Sequence, residues 1–423
     1  MKSIIKSTKI ILICLIVLLV SACSNGNSKD AANGTAKGEG TAKEEVTIKV
    51  LLGSWWEPNI EKIKEAYKVD HPNVTLEFEL VPIAGYLEKA MASIMGGNAP
   101  DVLDLQPGYL SIMAERDMLM PWDDYIKDLE VDDFATAIWE GSQLNGKVYG
   151  IPNRATNTVL FYNKKMFDEA NLAYPTEEWT YEDILSNAKK LTKGDQYGFG
   201  IAAASSDIPN VNMTFAPVVY GMNAEFFNKD YSKFTLNEPE GVKAITFFTE
   251  LYSKEKVVPS GSLNYSISKD VLPLFSNNKV AMMPCSSLCL DALEKTPNVD
   301  YDFVSLPGKT QGGGFTWSIS SESEVQEQAR EFVLWFTEAE NMSNLHVLQP
   351  ARLSATTSPP WNSEEYKKLM GYSKLAKPLP THPKWQEANE IIIVELQKIM
   401  QGEKSPQQGA DDMAKQINPL LKE

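Results

Sequence analysis

Trp55-Trp56-Glu57 is the first group in the chain whose residue types could do chemistry. It places two flat rings and a carboxylate on the turn after the first strand, at the carboxyl edge where open α/β sheets hold ligands. Rings stack on the C–H faces of a solute, while carboxylates, amides and arginine forks pair with its hydroxyls. The chain has only four arginines, and two of them, Arg154 and Arg352, fall on connections between structured stretches. Asn153 and Asn157 lie on the first connection, Gln106 and Tyr109 follow another strand, and Trp317 and Trp361 add rings further on. Each has a rival role. The tryptophans can pack in a core, Glu57 can serve a helix N-terminus, the arginines can brace a hinge, and the asparagines can form turns. Asp101 reads as a backbone cap, and Trp122, Trp139, Trp179 and Trp335 read as packing.

Hydrolytic use of the same residue types, as in a secreted glycoside hydrolase, needs an acid/base pair at a defined separation. No pair stands out among the acids. His71, His346 and His382 are scattered, and no His/Cys group has metal-site spacing, so neither metal nor cofactor is expected. Lys and Arg number 40 against 56 Asp and Glu, a net charge of −16. That balance argues against nucleic acid and anionic lipid as ligands, because both demand positive patches.

The elements that must position these residues follow from periodicity. Val46–Leu52 alternates as a strand, Ile60, Ile63 and Tyr67 give a helix, and Val74–Leu80 alternates again. Leu87–Met95 has helical spacing, and Asp101–Leu105 is a short apolar run suited to a buried strand. Strand, helix, strand, helix, strand marks an α/β domain. The stretch Gly146–Leu172 is central: an extended piece through Pro152, a polar patch from Asn153 to Thr158, a strand Val159–Tyr162, then a short helix. It suits a crossover between two lobes, although a surface loop within one domain has the same pattern. Further on, Thr180 with Asp183 starts a helix, and 197–204 reads as strand-like. Helices are expected over 242–252, 325–336, 385–400 and 413–421, with strands over 279–283, 300–306 and 315–320. The stretch 347–360 reads as a second connection without regular structure.

Lys2, Lys6 and Lys9 precede an apolar run, Ile10–Val20, of signal-peptide length. Val20-Ser21-Ala22-Cys23 resembles the bacterial lipobox, which makes Cys23 a lipidated first residue. The polar segment up to Glu45 then reads as a tether. Loss of residues 1–22 would take the net charge to −19. Only Cys285 and Cys289 remain beyond it, and their spacing leaves a disulfide open.

Gly97-Asn98-Ala99-Pro100-Asp101, Gly146-Lys147-Val148-Tyr149-Gly150-Ile151-Pro152, Phe161-Tyr162-Asn163-Lys164, Trp179-Thr180-Tyr181-Glu182, Lys279-Val280-Ala281-Met282-Met283, Trp317-Ser318-Ile319-Ser320 and Ala329-x-x-Phe332 occur in order along nearly all of 46–421. Together they resemble the extracellular solute-binding proteins of ABC importers, in the sugar-binding group. The resemblance implies an α/β, two-lobe periplasmic-binding-protein-like fold of type II, its lobes joined by hinge crossovers near Arg154, near 307–314 and near 352–361. It implies lobe 1 as 46–153 with 314–355, and lobe 2 as 154–313 with 356–423. It also places Trp385 near a stacking tryptophan of the family and Ser286 at a cleft position, where many relatives carry Gly or Trp. The expected ligand set is therefore Trp55, Trp56, Glu57, Gln106, Arg154, Asn157, Ser286, Trp317, Arg352 and Trp385. The function implied is a lipid-anchored monomer on the outer face of the cell membrane that binds a carbohydrate and delivers it to ABC permease subunits, without enzymatic turnover. A peptide, polyamine or metal chelate in the same fold is the alternative.

Overall fold

Hydrophobic alternation along 46–53 and 74–81, and a fully buried run at 102–105 that is apolar except for Asp104, give three parallel strands with one face or both buried. The computed structural model describes residues 45–422 apart from 84, 128, 207 and 347, with backbone alone at 208–210. The expected leader, Cys23 and all of the tether but Glu45 lie outside the described residues.

In chain order the elements are β1 (Val46–Gly53), α1 (Ile60–Asp70), β2 (Val74–Val81), α2 (Tyr86–Met95), β3 (Val102–Leu105), α3 (Pro107–Glu115), α4 (Thr136–Gly141), β4 (Gln143–Leu144), β5 (Lys147–Val148), β6 (Ile151–Asn157), β7 (Val159–Asn163) and α5 (Lys164–Glu169). There follow α6 (Tyr181–Leu191), α7 (Ile208–Gly221), α8 (Pro239–Ser253), α9 (Leu272–Ser276), β8 (Met282–Cys285), α10 (Ser287–Glu294), β9 (Tyr301–Ser305) and β10 (Thr310–Ile319). The chain ends with α11 (Gln326–Phe336), α12 (Ala339–Leu345), α13 (Glu364–Gly371), β11 (Ala376–Lys377), α14 (Trp385–Met400) and α15 (Pro406–Leu420).

Two sheets organise the molecule. The first runs β2-β1-β3-β10, with β6 on the next flank and β11 beside the start of β10. Strands β1, β2 and β3 are parallel, and β10 is antiparallel to both β3 and β6. The second sheet is β8-β7-β9, all antiparallel. Residues 197–200 lie beside β8 through Tyr197 N to Lys279 O and Gly200 N to Met282 O, without forming a named strand. The hydrophobic clusters divide the same way. One group holds Ile48 to Ala155 and Trp317 to Ala355, and the other holds Val159 to Leu306 and Trp361 to Ile417. Three connections pass between them, at 155–159, 306–317 and 355–361.

These connections are tied by specific hydrogen bonds. Asn157 Nδ2 donates to Leu369 O, Thr310 Oγ1 to Thr158 O, and Trp361 Nε1 to Ser343 O. Residues 349–351, expected to lack regular structure, lie along the free flank of β6 through Ala155 N to Gln349 O and Ala351 N to Asn153 O. The expected helix start at Thr180 is a full capping box with Asp183. Helix α7 has no counterpart among the sequence expectations, because Pro217 and an almost continuous apolar surface hide its period. Cys285 and Cys289 form a disulfide that spans the first turn of α10.

Candidate ligand site

The register of the first sheet brings the carboxyl ends of β1 and β3 level with the middle of β10 and β6. Leu51 pairs with Leu103, Leu105 with Thr316, and Phe315 with Arg154. Trp55, Gln106, Phe315 and Arg154 therefore gather along one edge. The Arg154 guanidinium lies 3.9 Å from the Phe315 ring centroid and 5.2 Å from that of Trp55, whose rings meet edge to face at 5.1 Å. Two glycines permit this. A β-carbon on Gly53 would fall 2.1 Å from the Trp55 ring, which folds back over that residue. Gly314 has φ +148°, and a β-carbon there would meet the Arg154 carbonyl at 1.7 Å.

Beneath the arginine lies Asp104, a carboxylate in the fully buried strand β3. Asn153 Nδ2 donates to one of its oxygens and Trp56 Nε1 to the other, both at 2.8 Å. Tyr86 closes the base: its hydroxyl donates to Leu51 O and accepts from Asp104 N. Burial pushes the Asp104 carboxyl up to about 6, against the pull of the Arg154 charge and the two donors. Burial also brings Arg154 down to about 10, opposed by Asp104, so the guanidinium stays charged. His346 packs 4.7 Å from Trp56 and is pushed down to about 3 by burial and by the Arg154 charge. The result is a cation over the Phe315 ring and beside that of Trp55, with a counter-charge in buried Asp104, and with its own Nε buried without a partner. Such a fork can donate to a solute's oxygens while the rings take its apolar faces.

On the same edge Tyr109 N donates to Gln106 O at 3.0 Å, and the Tyr109 ring stacks 6.4 Å from that of Tyr86. Glu57 is exposed on the turn before α1. Other residues expected at the ligand are committed elsewhere, and the reasons are physical. Trp56 is fully buried and holds Asp104 instead of presenting a face. Trp317 is fully buried against Trp56 and Phe336, at 5.3 Å from each. Arg352 donates to Thr337 O and Asp133 and lies over Phe134, so its fork braces one lobe. Asn157 is the hinge tie to Leu369. Ser286 caps α10, its hydroxyl accepting from Leu288 N. Trp385 packs edge to face on Phe226 and Phe227 in the second core, and its Cδ1 would lie 3.9 Å from a β-carbon on Gly108. Sequence reasoning missed Asp104 and Phe315 as site residues. A lone acid inside the apolar run Val102-Leu103-Asp104-Leu105 was the available signal, since a buried charge requires partners.

The sequence model of the family described as bacterial extracellular solute-binding protein matches residues 53–343. A binding protein of Brucella abortus is 26% identical over 86% of this chain and 90% of its own length. The galactooligosaccharide-binding protein of Bacillus subtilis is 23% identical over 99% of this chain and 98% of its own. An ABC substrate-binding protein of Listeria monocytogenes, solved in complex with cycloalternan, superposes with a TM-score of 0.75 at 22% identity, covering 89% of this chain and 99% of that one. These relatives are binding proteins and not enzymes, and the solved neighbours share the two-lobe α/β fold.

Proposed function

Because the chain belongs to the family of bacterial extracellular solute-binding proteins, we propose that it captures a sugar or oligosaccharide between its lobes and delivers it to an ABC permease. The observation that carries this reading is the Trp55–Phe315–Arg154 edge, where ring faces and a guanidinium with a fixed counter-charge share one wall. Hydroxyls and C–H faces together need that pairing, whereas a polyamine would be repelled by the cation. Relatives named for galactooligosaccharide and cycloalternan point to the same ligand class.

In this reading the lobes part within the three connections, so that Arg154, expected at the start of lobe 2, stays with lobe 1 through its pairing with Phe315, and closure about those connections is the whole event. Cys23 carries the lipid that holds a monomer on the outer face of the membrane, within reach of its permease.

A thermal-shift panel of mono- and oligosaccharides, amino acids and polyamines tests the ligand class. One or more sugars should raise the melting temperature, since a ligand that binds only the native state stabilises it by mass action. Stabilisation by polyamines or amino acids alone would overturn the proposal. Trp55→Ala should weaken the best sugar about tenfold in calorimetry by removing one stacking face.

A further inference from the structure

Of the four arginines, Arg154 alone has no protein acceptor. Arg116 donates to Met91 Sδ, Arg330 to Glu327, and Arg352 to Thr337 O and Asp133. The Arg154 guanidinium bonds to no oxygen among the described residues, although its side chain is only part-buried. Its buried, unpartnered nitrogen is Nε, so the open end of the fork is the terminal pair, Nη1 and Nη2. Asp104 acts on it through charge without a contact ion pair, and the two Asp104 oxygens accept from Asn153 and Trp56 instead.

A guanidinium drawn out of water needs acceptors, and burial has already brought Arg154 down to about 10. Sugar hydroxyls return part of that cost. A carboxylate returns more, because its two oxygens match the planar fork and each bond is charge-assisted, roughly twice as strong as a neutral one. The surroundings suit a sugar ring that carries such a group. Phe315 covers the guanidinium at 3.9 Å, and the part-exposed Trp55 stands 5.2 Å away. Other charges limit the anion. Asp104 lies behind the fork, so a dianion such as a phosphate ester would meet twice the repulsion of a carboxylate. A net charge of −16 opposes the approach of a polyanion.

Resting on the carbohydrate reading, we propose that the ligand is an acidic sugar, with one uronic acid unit whose carboxylate takes both terminal nitrogens of Arg154 while its ring lies against Trp55. Arg154 is then the residue that selects a sugar acid over the corresponding neutral sugar.

Matched pairs test this in calorimetry: glucuronate with glucose, galacturonate with galactose, and an aldobiouronate with the neutral disaccharide of the same linkage. In at least one pair the acid should bind about tenfold tighter, the difference between charge-assisted and neutral hydrogen bonds. In Arg154→Gln, which keeps an amide donor and loses the charge, that ratio should fall to about one. The comparison within the parent needs no variant, so it decides even where Arg154→Gln does not fold. Neutral sugars bound as tightly as their acids overturn the acidic ligand and leave the carbohydrate reading standing. A preference for the acid that survives in Arg154→Gln overturns the pairing with Arg154. A hexose phosphate bound tighter than the matching uronate overturns the carboxylate. Binding by neither member of any pair, with polyamines or amino acids stabilising the protein instead, overturns the carbohydrate reading and the acidic ligand with it.

Discussion

Arg154→Met is expected to weaken carbohydrate binding about a hundredfold in calorimetry, the largest loss of any single substitution at the site. The guanidinium contributes twice. Its donors reach solute oxygens as charge-assisted bonds, worth roughly 1.5–3 kcal/mol each. Its plane lies on Phe315 at 3.9 Å and near Trp55 at 5.2 Å, which keeps both rings aligned. Methionine fills the space and removes the charge. Arg154→Lys serves as the second arm: it restores charge without the planar fork, so it should recover only a small part of the affinity. The substitution also takes the counter-charge from Asp104, whose carboxyl is then left with burial and two neutral donors, and its pKa should rise further. Sugar affinity within threefold of the parent in Arg154→Met would remove Arg154 from the site. Full recovery in Arg154→Lys would reduce its role to charge alone.

How much of this was open to reading in the sequence depends on which forces decide each feature. Local patterns were sufficient for β1, β2, α2, α6 and α14, because alternation, helical spacing and caps are local. Helix α14 occupies the expected 385–400, and Thr180 caps α6 as its spacing to Asp183 implies. Roles of individual tryptophans were not legible. Trp55 and Trp56 are neighbours on the same turn, yet one lies at the arginine and the other is fully buried. What separates them is the direction of the chain over Gly53 and the presence of Asp104 forty-eight residues away. Arg154 and Arg352 looked alike as rare cations on connections, but only the second has Asp133 and Thr337 O beside it. Long-range partners chose the roles, and a single sequence without its contacts does not display them.

The same partners make a pH signature. Asp104 is raised from 3.8 to about 6, so its contribution to stability is present in acid and is lost as pH rises through about 6. His346 is lowered from 6.5 to about 3, so its contribution is present above 6.5 and is lost as pH falls through about 3. Between about pH 4 and pH 6 the unfolded chain carries one proton on His346, and the native protein carries one on Asp104. The numbers match, so this pair adds no slope there. Each single variant should uncover the other's slope, about 1.4 kcal/mol per pH unit for one proton. In Asp104→Asn the free energy of unfolding should fall with acidification across this window, relative to the parent. In His346→Gln it should rise with acidification over the same range. Each difference should reach about 3 kcal/mol over two units, and urea denaturation at several pH values reads it directly. Parallel curves for the parent and both variants would mean that Asp104 and His346 hold ordinary protonation states, and that the carboxylate behind Arg154 is not in a desolvated site.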